Sequence, residues 1–165
     1  MTGIVVADTG PLIALARAGY LDILPAMYQE ILIPPAVHDE LCLSSNRPGS
    51  KRIAEAIEQG WLHIRKLSSK TASLSELILI LDLGEAEAIV FAEEVKCRFL
   101  LIDERKGRAI AKQRGVPIAG VAGVLLAAKK QGFVDEILPI IKHLEKVGYR
   151  LSTALIKEVG NLSGE

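Results

Sequence analysis

The stretch that decides the fold is Ile4-Val5-Val6-Ala7-Asp8-Thr9-Gly10-Pro11, near the start of the chain. Residues 4–7 form a short, β-branched apolar run, which is typical of a strand buried on both faces of a sheet. Gly10 and Pro11 then open a helical pattern, because proline suits the first turn of a helix, where its missing N–H does no harm. Asp8 is therefore predicted in a strand-to-helix turn, where α/β proteins carry their functional groups.

The same alternation of apolar runs and helical patterns continues along the chain. Further strands are predicted at residues 30–33, 61–67, 99–102 and 116–118, the run at 61–67 being an edge strand. A polar linker is expected at residues 68–73. Helices are predicted at residues 10–18, 20–27, 35–41, 51–59, 74–81, 85–95, 104–114, 121–130, 135–146 and 152–159. Strands that alternate with helices predict an α/β fold with a mainly parallel sheet, covered on both faces.

The composition narrows the class of protein. The 165 residues suit one domain with a single core, and half of them are apolar with few aromatics. The formal net charge is zero, so any attraction to nucleic acid must come from a local basic surface. Cys42 and Cys97 indicate reduced thiols rather than a disulfide framework or a zinc site. No targeting segment and no apolar run long enough for a membrane span is visible, so we expect a cytoplasmic protein.

Helical geometry selects among the acidic residues of one predicted helix. Glu85 shares a face with Ala88, Ile89 and Ala92, whereas Glu87 points about 200° away, at about 100° per residue. We therefore expect Glu87 on the solvent side and Glu85 on the inner side. Glu85 could also be a first-turn acid that only complements the helix dipole.

The same argument applies to the helix that follows Pro35. Val37 and Leu41 mark its buried side, and Glu40 flanks that side, whereas Asp39 points into solvent. Asp8 and Asp103, each directly after a predicted buried strand, complete a set of four candidate carboxylates with Glu40 and Glu85. Each aspartate could instead cap the helix that follows it.

Four carboxylates in one crevice repel one another unless a cation lies among them. Oxygen ligands select hard ions, so we predict Mg²⁺ or Mn²⁺ bound by Asp8, Glu40, Glu85 and Asp103. Such an ion activates water and stabilises a leaving oxygen, which suits phosphodiester hydrolysis. A basic stripe would attract the polyanionic substrate, and one is predicted on a single helical face at Arg105, Arg108 and Lys112, with Lys129 and Lys130 as a possible extension.

Four short motifs in this order resemble those of the PIN-domain family of metal-dependent nucleases, which includes the VapC-type toxins. They are the strand with Asp8-Thr9, Pro35-Ala36-Val37-His38-Asp39-Glu40-Leu41, Leu83-Gly84-Glu85-Ala86-Glu87-Ala88-Ile89, and Leu100-Leu101-Ile102-Asp103. The resemblance covers about residues 3–132, and the helices of about 133–165 resemble one poorly characterised prokaryotic subfamily. Many family members carry Asp where this chain has Glu85.

The resemblance implies a three-layer α/β/α Rossmann-like fold and a single PIN-like domain over residues 1–165, with extra C-terminal helices. It also implies an Mg²⁺- or Mn²⁺-dependent endoribonuclease that acts on RNA, is often a homodimer, and is often held in check by a small antitoxin protein. Asp8, Glu40, Glu85 and Asp103 take the metal-site positions, and we expect Thr9 to support Asp8. The alternative is a PIN-like module that binds nucleic acid or protein with weak or lost catalysis, which the longer Glu85 side chain leaves open.

Two other classes of enzyme fit the sequence poorly. Asp8-Thr9-Gly10 also spells the aspartic-protease tripeptide, but that fold is all-β and a helix follows here. Dinucleotide binding would require a glycine fingerprint that the chain lacks.

Overall fold

The computed structural model of the protein describes residues 3–68 and 72–165. Residues 69–71 of the predicted linker lie outside the described residues. The described strands are Ile4–Ala7 (β1), Glu30–Ile33 (β2), Leu62–Ile64 (β3), Phe99–Leu101 (β4) and Ile118–Ala119 (β5). They form one five-stranded sheet in the order β3-β2-β1-β4-β5, and every neighbouring pair is parallel. The predicted parallel sheet is therefore confirmed, with β3 at an edge as expected.

The central strand, β1, is covered on both faces. Val5 and Val6 point to opposite faces of the sheet, and both are 0% exposed. Val6 lies opposite Leu32 of β2 and Leu100 of β4. Since the chain runs outward from β1 to β3 and then returns to add β4 and β5 on the other side, the strand order reverses between β1 and β4. Parallel sheets have a crevice at such a switch point, beyond the carboxyl ends of the two strands.

Helices flank the sheet, which confirms the α/β fold. Those within the described residues are Thr9–Ala18 (α1), Ile23–Met27 (α2), Pro35–Leu41 (α3), Ser50–Glu58 (α4), Ala72–Leu77 (α5), Leu83–Val95 (α6), Arg105–Gln113 (α7), Val121–Lys130 (α8), Leu138–Lys146 (α9) and Thr153–Ser163 (α10).

Proline and glycine set several of these boundaries as the sequence predicts. Pro35 is the first residue of α3, where proline needs no N–H partner. Gly19 ends α1 in the left-handed conformation with φ of 85°, which a residue without a Cβ adopts without strain.

Two helices differ from the prediction by three or more residues at one end. The helix expected over 74–81 ends at Leu77, and the next residues form a turn that exposes Ile78, Leu79 and Ile80. The run at 77–81 is apolar at every position and therefore has no helical period, so the sequence could not show where the helix ends. The helix expected from 135 begins at Leu138, where the Ile137 and Leu138 N–H groups donate to the Glu165 carboxylate.

The smaller differences lie at the ends of other elements. The strand expected at 116–118 is Ile118–Ala119, the helix expected at 20–27 begins at Ile23, and the last helix runs to Ser163 rather than 159. Boundaries of this kind vary with local hydrogen bonding rather than with the apolar pattern.

The last two helices pack onto the rest of the protein. α9 packs against α1, and α10 packs against α8 and α9. Ile140, Ile141 and Leu144 of α9 are buried in the same hydrophobic cluster as the strands. Among the described residues, no helix combines the length and apolarity that crossing a bilayer requires.

Candidate active site

Asp8 lies at the carboxyl end of β1, one residue before α1. It occupies the N-cap position, yet its side chain makes no capping hydrogen bond. Only 6% of Asp8 is exposed, and Oδ1 is buried without a hydrogen-bond partner among the described residues. Burial raises the pKa of Asp8 to about 6, the Thr9 N–H opposes this rise, and the charges of nearby Asp82, Glu40 and Asp103 add to it. Capping therefore does not explain this carboxylate.

Glu40 is fixed by two donors from different parts of the chain. The Thr9 hydroxyl donates to Oε2 at 3.0 Å, and the Gly84 N–H donates to Oε1 at 3.0 Å. A Cβ on Gly84 would lie 2.5 Å from Oε1, so only glycine lets the α6 backbone approach this closely. The Thr9 hydroxyl thus holds Glu40, while the Thr9 N–H supports Asp8, the residue for which the sequence predicted its support.

Glu85 begins the inner face of α6 and is only 8% exposed. Its own N–H donates to the side chain of Asp82, the N-cap of α6, at 2.9 Å. Burial raises the pKa of Glu85 to about 7, and the charges of Asp82, Glu104, Asp8 and Glu40 raise it further. The carboxylate is therefore turned into the crevice.

Asp103 follows β4 and lies on the far side of the crevice. Its Oδ1 accepts from the Val121 N–H at 3.3 Å, and its buried Oδ2 has no partner among the described residues. Glu104, not Asp103, caps α7, by accepting from the Gly107 N–H at 2.8 Å. Burial raises the pKa of Asp103, and the Tyr149 hydroxyl, the Val121 N–H and the Arg108 guanidinium each oppose that rise.

The four predicted carboxylates thus face one crevice at the switch point. Glu40 and Asp103 lie near enough to Asp8 to raise its pKa, and Asp8 and Glu40 lie near enough to Glu85 to raise the pKa of that residue.

Two further acids at the crevice, Asp82 and Glu104, were not predicted from the sequence. Both are N-caps, and both add negative charge near Glu85. A signal was present for Asp82, because Asp82-Leu83-Gly84-Glu85 has the spacing of a capping box, with an acid three residues after the cap.

Asp39 and Glu87, the two acids that were predicted to face solvent, differ in their exposure. Asp39 is solvent-exposed, as predicted. The prediction for Glu87 is wrong, because its Oε1 accepts from the Ala36 N–H at the start of α3, at 3.1 Å, and the residue is half-buried. Helical direction correctly separated Glu85 from Glu87, but α6 is packed on more than one side.

The predicted basic stripe is interrupted on α7. Arg105 and Lys112 are exposed, whereas Arg108 turns inward and donates from Nη1 to the carbonyl of Ile102 at 2.7 Å. Lys129, the proposed extension, forms an ion pair with Glu165 at 3.0 Å.

The oxygen ligands of the crevice suit a hard cation in their chemistry, but the carboxylates are spaced too widely to bind a bare ion together. Asp8 Oδ1 and Asp103 Oδ2 are buried carboxylate oxygens without partners, which Mg²⁺ or Mn²⁺ would satisfy. In the part of the chain that the structure describes, no three His, Cys, Asp or Glu side chains lie close enough together to hold one ion. Mg²⁺ keeps several waters and needs only one or two protein carboxylates, so the residues fit a hydrated ion.

Comparison with known proteins agrees with this architecture. Residues 4–165 match a family model, DUF3368, described as a PIN domain. No curated protein matches the chain. A solved structure of a PilT N-terminus domain protein from the hyperthermophilic archaeon Sulfolobus solfataricus P2 has a similar fold, with a TM-score of 0.54 and 18% identity over 76% of this chain and 92% of that one. Because the family model spans almost the whole sequence, the chain belongs to the PIN-domain family, whose fold is of the nuclease type.

Proposed function

We propose that the protein is a metal-dependent endoribonuclease whose site is the carboxylate crevice. The observation that carries this proposal is the pair of buried, unpartnered oxygens, Asp8 Oδ1 and Asp103 Oδ2, at the switch point of the sheet. A buried polar atom without a partner costs free energy, and a cation between such oxygens would offset that cost.

In this proposal Asp8, Glu40, Glu85 and Asp103 would hold Mg²⁺ or Mn²⁺, directly or through the waters that the ion keeps. When bound, the ion supplies an activated water and stabilises the charge that develops on the leaving oxygen. The remaining residues position the carboxylates. Thr9 and the Gly84 N–H orient Glu40, and the Val121 N–H orients Asp103. Asp82 and Glu104 strengthen the negative potential that attracts the cation.

RNA is the proposed substrate, with binding by exposed cations beside the crevice. Arg105 and Lys112 are exposed on α7, which begins two residues after Asp103, so both can reach a phosphate backbone. In this proposal Arg108 contacts a phosphate nearer to the carboxylates, because its Nη1 is held at the carbonyl of Ile102.

The test is cleavage of structured and single-stranded RNA by the purified chain with Mn²⁺, with Mg²⁺ or with EDTA. We expect cleavage that requires the metal and is lost in Asp8→Asn with the fold retained. Asp39→Asn is the matched control, because Asp39 is exposed and lies outside the crevice. Cleavage that persists in EDTA, or in Asp8→Asn, would refute the proposal.

A second candidate function is an RNA-binding module without catalysis. The observation that favours it is that no three metal-ligating side chains of the described residues stand together, and that the third motif carries Glu85 in place of Asp. RNA binding that is independent of metal, with no cleavage under any of the three conditions, would favour this function.

Two protein partners are proposed, a second copy of this chain and a small antitoxin. The exposed apolar side chains of Ile78, Leu79, Ile80 and Leu83 lie in the turn before α6 and at its start, close to Asp82. Exposed apolar patches commonly mark protein contacts, so we propose that this segment forms a homodimer interface. Analytical sedimentation tests this interface: the wild type should sediment as a dimer and Leu79→Lys as a monomer. A monomeric wild type would contradict the proposal. A toxin role with a small antitoxin rests on the family resemblance, and co-purification with the product of the neighbouring gene tests it.

A further inference from the structure

A cleft of about 640 Å³ opens beside the carboxylate crevice. One wall is the end of β5 and the start of α8, residues 118–123, and the opposite wall is the segment 149–155 that leads into α10. Asp103 and Glu104 lie at its inner end, so the cleft and the crevice share a wall. A ligand in the cleft would therefore lie next to whatever the carboxylates act on.

The lining combines an aromatic ring, two guanidinium groups and apolar side chains. Tyr149 and Arg150 stand on the wall formed by the later segment, together with Leu155, and Ile118 faces them from the sheet. Arg108 contributes its guanidinium at the inner end, where the bond to the carbonyl of Ile102 fixes it. Aromatic and guanidinium planes beside small apolar surfaces are the groups with which proteins bind unstacked bases and their phosphates.

Arg150 is the cation available for this role. It is exposed and forms no ion pair with any residue that the structure describes, whereas Arg114 and Lys129 are paired with Glu93 and Glu165. A guanidinium without a carboxylate partner, one residue from an aromatic side chain and at the mouth of a cleft, suits a phosphate group.

The packing of the C-terminal helices holds this wall in place. α9 packs against α1, and α10 packs against α8 and α9. The Glu165 carboxylate accepts from the Ile137 and Leu138 N–H groups, which ties the end of α10 to the start of α9. Residues 149–155, which run from the loop after α9 into the first turn of α10, are therefore held near α8, as a preformed pocket requires.

We propose that this cleft is a binding subsite for one unstacked nucleotide of single-stranded RNA, adjacent to the phosphate that is cut at the carboxylate crevice. The inference rests on the proposed function. The volume lies within the range of small-ligand pockets, about 300–1,000 Å³, which admits one nucleotide but no duplex. A base must leave its stack to enter, so the subsite selects single strands, loops or ends.

Two substitutions test the cleft without touching the carboxylates. Gly123 lines the cleft, and a Cβ there would meet nothing within 4 Å, so Gly123→Leu starts its side chain in open space and adds bulk to this wall. Arg150→Ala removes the free cation. Lys51→Ala is the charge-matched control, because Lys51 is exposed on α4, which packs near β3 at the opposite edge of the sheet.

Binding is measured in the Asp8→Asn background by fluorescence anisotropy, with a labelled single-stranded RNA of mixed sequence that has no self-complementarity, and with the same strand annealed to its complement and long enough to stay paired. We expect Gly123→Leu and Arg150→Ala each to weaken single-strand binding by about tenfold, which is the size of one lost stacking or phosphate contact. Lys51→Ala should change it by less than about twofold, and the duplex should bind weakly to all variants. Thermal melting should show no loss of stability in Gly123→Leu, because replacing an exposed helical glycine favours the helix.

Cleavage by the same variants, with Asp8 restored, separates this inference from the proposed function. If wild type cleaves RNA with metal but both cleft variants bind and cleave as wild type does, the subsite is refuted and the nuclease stands. If wild type never cleaves and both cleft variants lose single-strand binding, the nuclease is refuted and the subsite stands. Equal binding of single-stranded and duplex RNA would also overturn the subsite.

Discussion

Replacing Asp8 with asparagine should stabilise the protein in metal-free buffer. Asp8 is 6% exposed, and its carboxylate is surrounded by Asp82, Glu40 and Asp103. The rise of its pKa from 3.8 to about 6 corresponds to about 3 kcal/mol, at about 1.4 kcal/mol for each pKa unit. This is the free energy that the folded state loses by keeping Asp8 ionised at pH 8. The asparagine amide must find hydrogen-bond partners in the same place, so we expect a net gain of about 1–3 kcal/mol.

The pH dependence gives the sign of this effect. The folded protein binds the Asp8 proton more tightly than the unfolded chain, so the contribution of Asp8 to stability is fully present below pH 3.8 and is lost as the pH rises through about 6. Asp8→Asn has no such proton. The gain of the variant over wild type should therefore be largest at pH 8, and it should be smaller by about 1.4 kcal/mol at pH 5.

The assay is urea unfolding followed by circular dichroism at pH 5 and pH 8, in EDTA. Asp39→Asn is the matched control, and it should lie within about 0.5 kcal/mol of wild type at both pH values, because its carboxylate is exposed. An Asp8→Asn variant that is less stable than wild type at pH 8 would show that Asp8 has a structural role as a cap. It would refute the claim that the ionised Asp8 carboxylate destabilises the metal-free fold.

The contacts of Gly84, of Glu85 and Glu87 in α6, and of Thr9 lead to three further tests. Gly84→Ala should cut RNA cleavage at least about tenfold with less than about 1 kcal/mol lost in thermal melting, because its Cβ displaces only the carboxylate end of the Glu40 side chain and no backbone. Unchanged cleavage would contradict this. Glu85→Gln should abolish cleavage and raise stability at pH 8, since the pKa of Glu85 is raised to about 7. Glu87→Gln should instead leave cleavage intact and lose about 1 kcal/mol in urea unfolding, because its carboxylate caps α3, and the reverse pattern would exchange the two roles. Thr9→Val should reduce kcat by about tenfold through loss of the bond to Glu40, and Thr9→Ser should restore it, with equal kcat in both variants as the contrary result.

The parallel sheet was predictable because each strand is a short apolar run between helical patterns. The strands at 4–7 and 30–33 have the same bounds in the sequence prediction and in the structure. Where the apolar pattern is continuous, as at 77–81, it carries no information about which side chains face the core, and the predicted end of that helix was wrong.

The candidate carboxylates were also within reach of sequence reasoning. Asp8 and Asp103 follow adjacent parallel strands, so the topology alone brings them to one edge. Glu85 and Glu87 were separated by helical periodicity, which is a local property. The partners of these residues were not predictable, since Thr9 reaches Glu40 across 31 residues and Gly84 reaches it across 44.

The order of strands and helices, the parallel sheet and the four candidate acids at its carboxyl edge therefore follow from the sequence alone. Local periodicity and chain order carry that information. Only the tertiary structure decided that Thr9 holds Glu40, that Arg108 turns inward, that Asp82 and Glu104 join the crevice, and that residues 149–155 wall a cleft beside Asp103. The physical reason is that these contacts join residues far apart in the chain, and their distances depend on how the helices pack against the sheet.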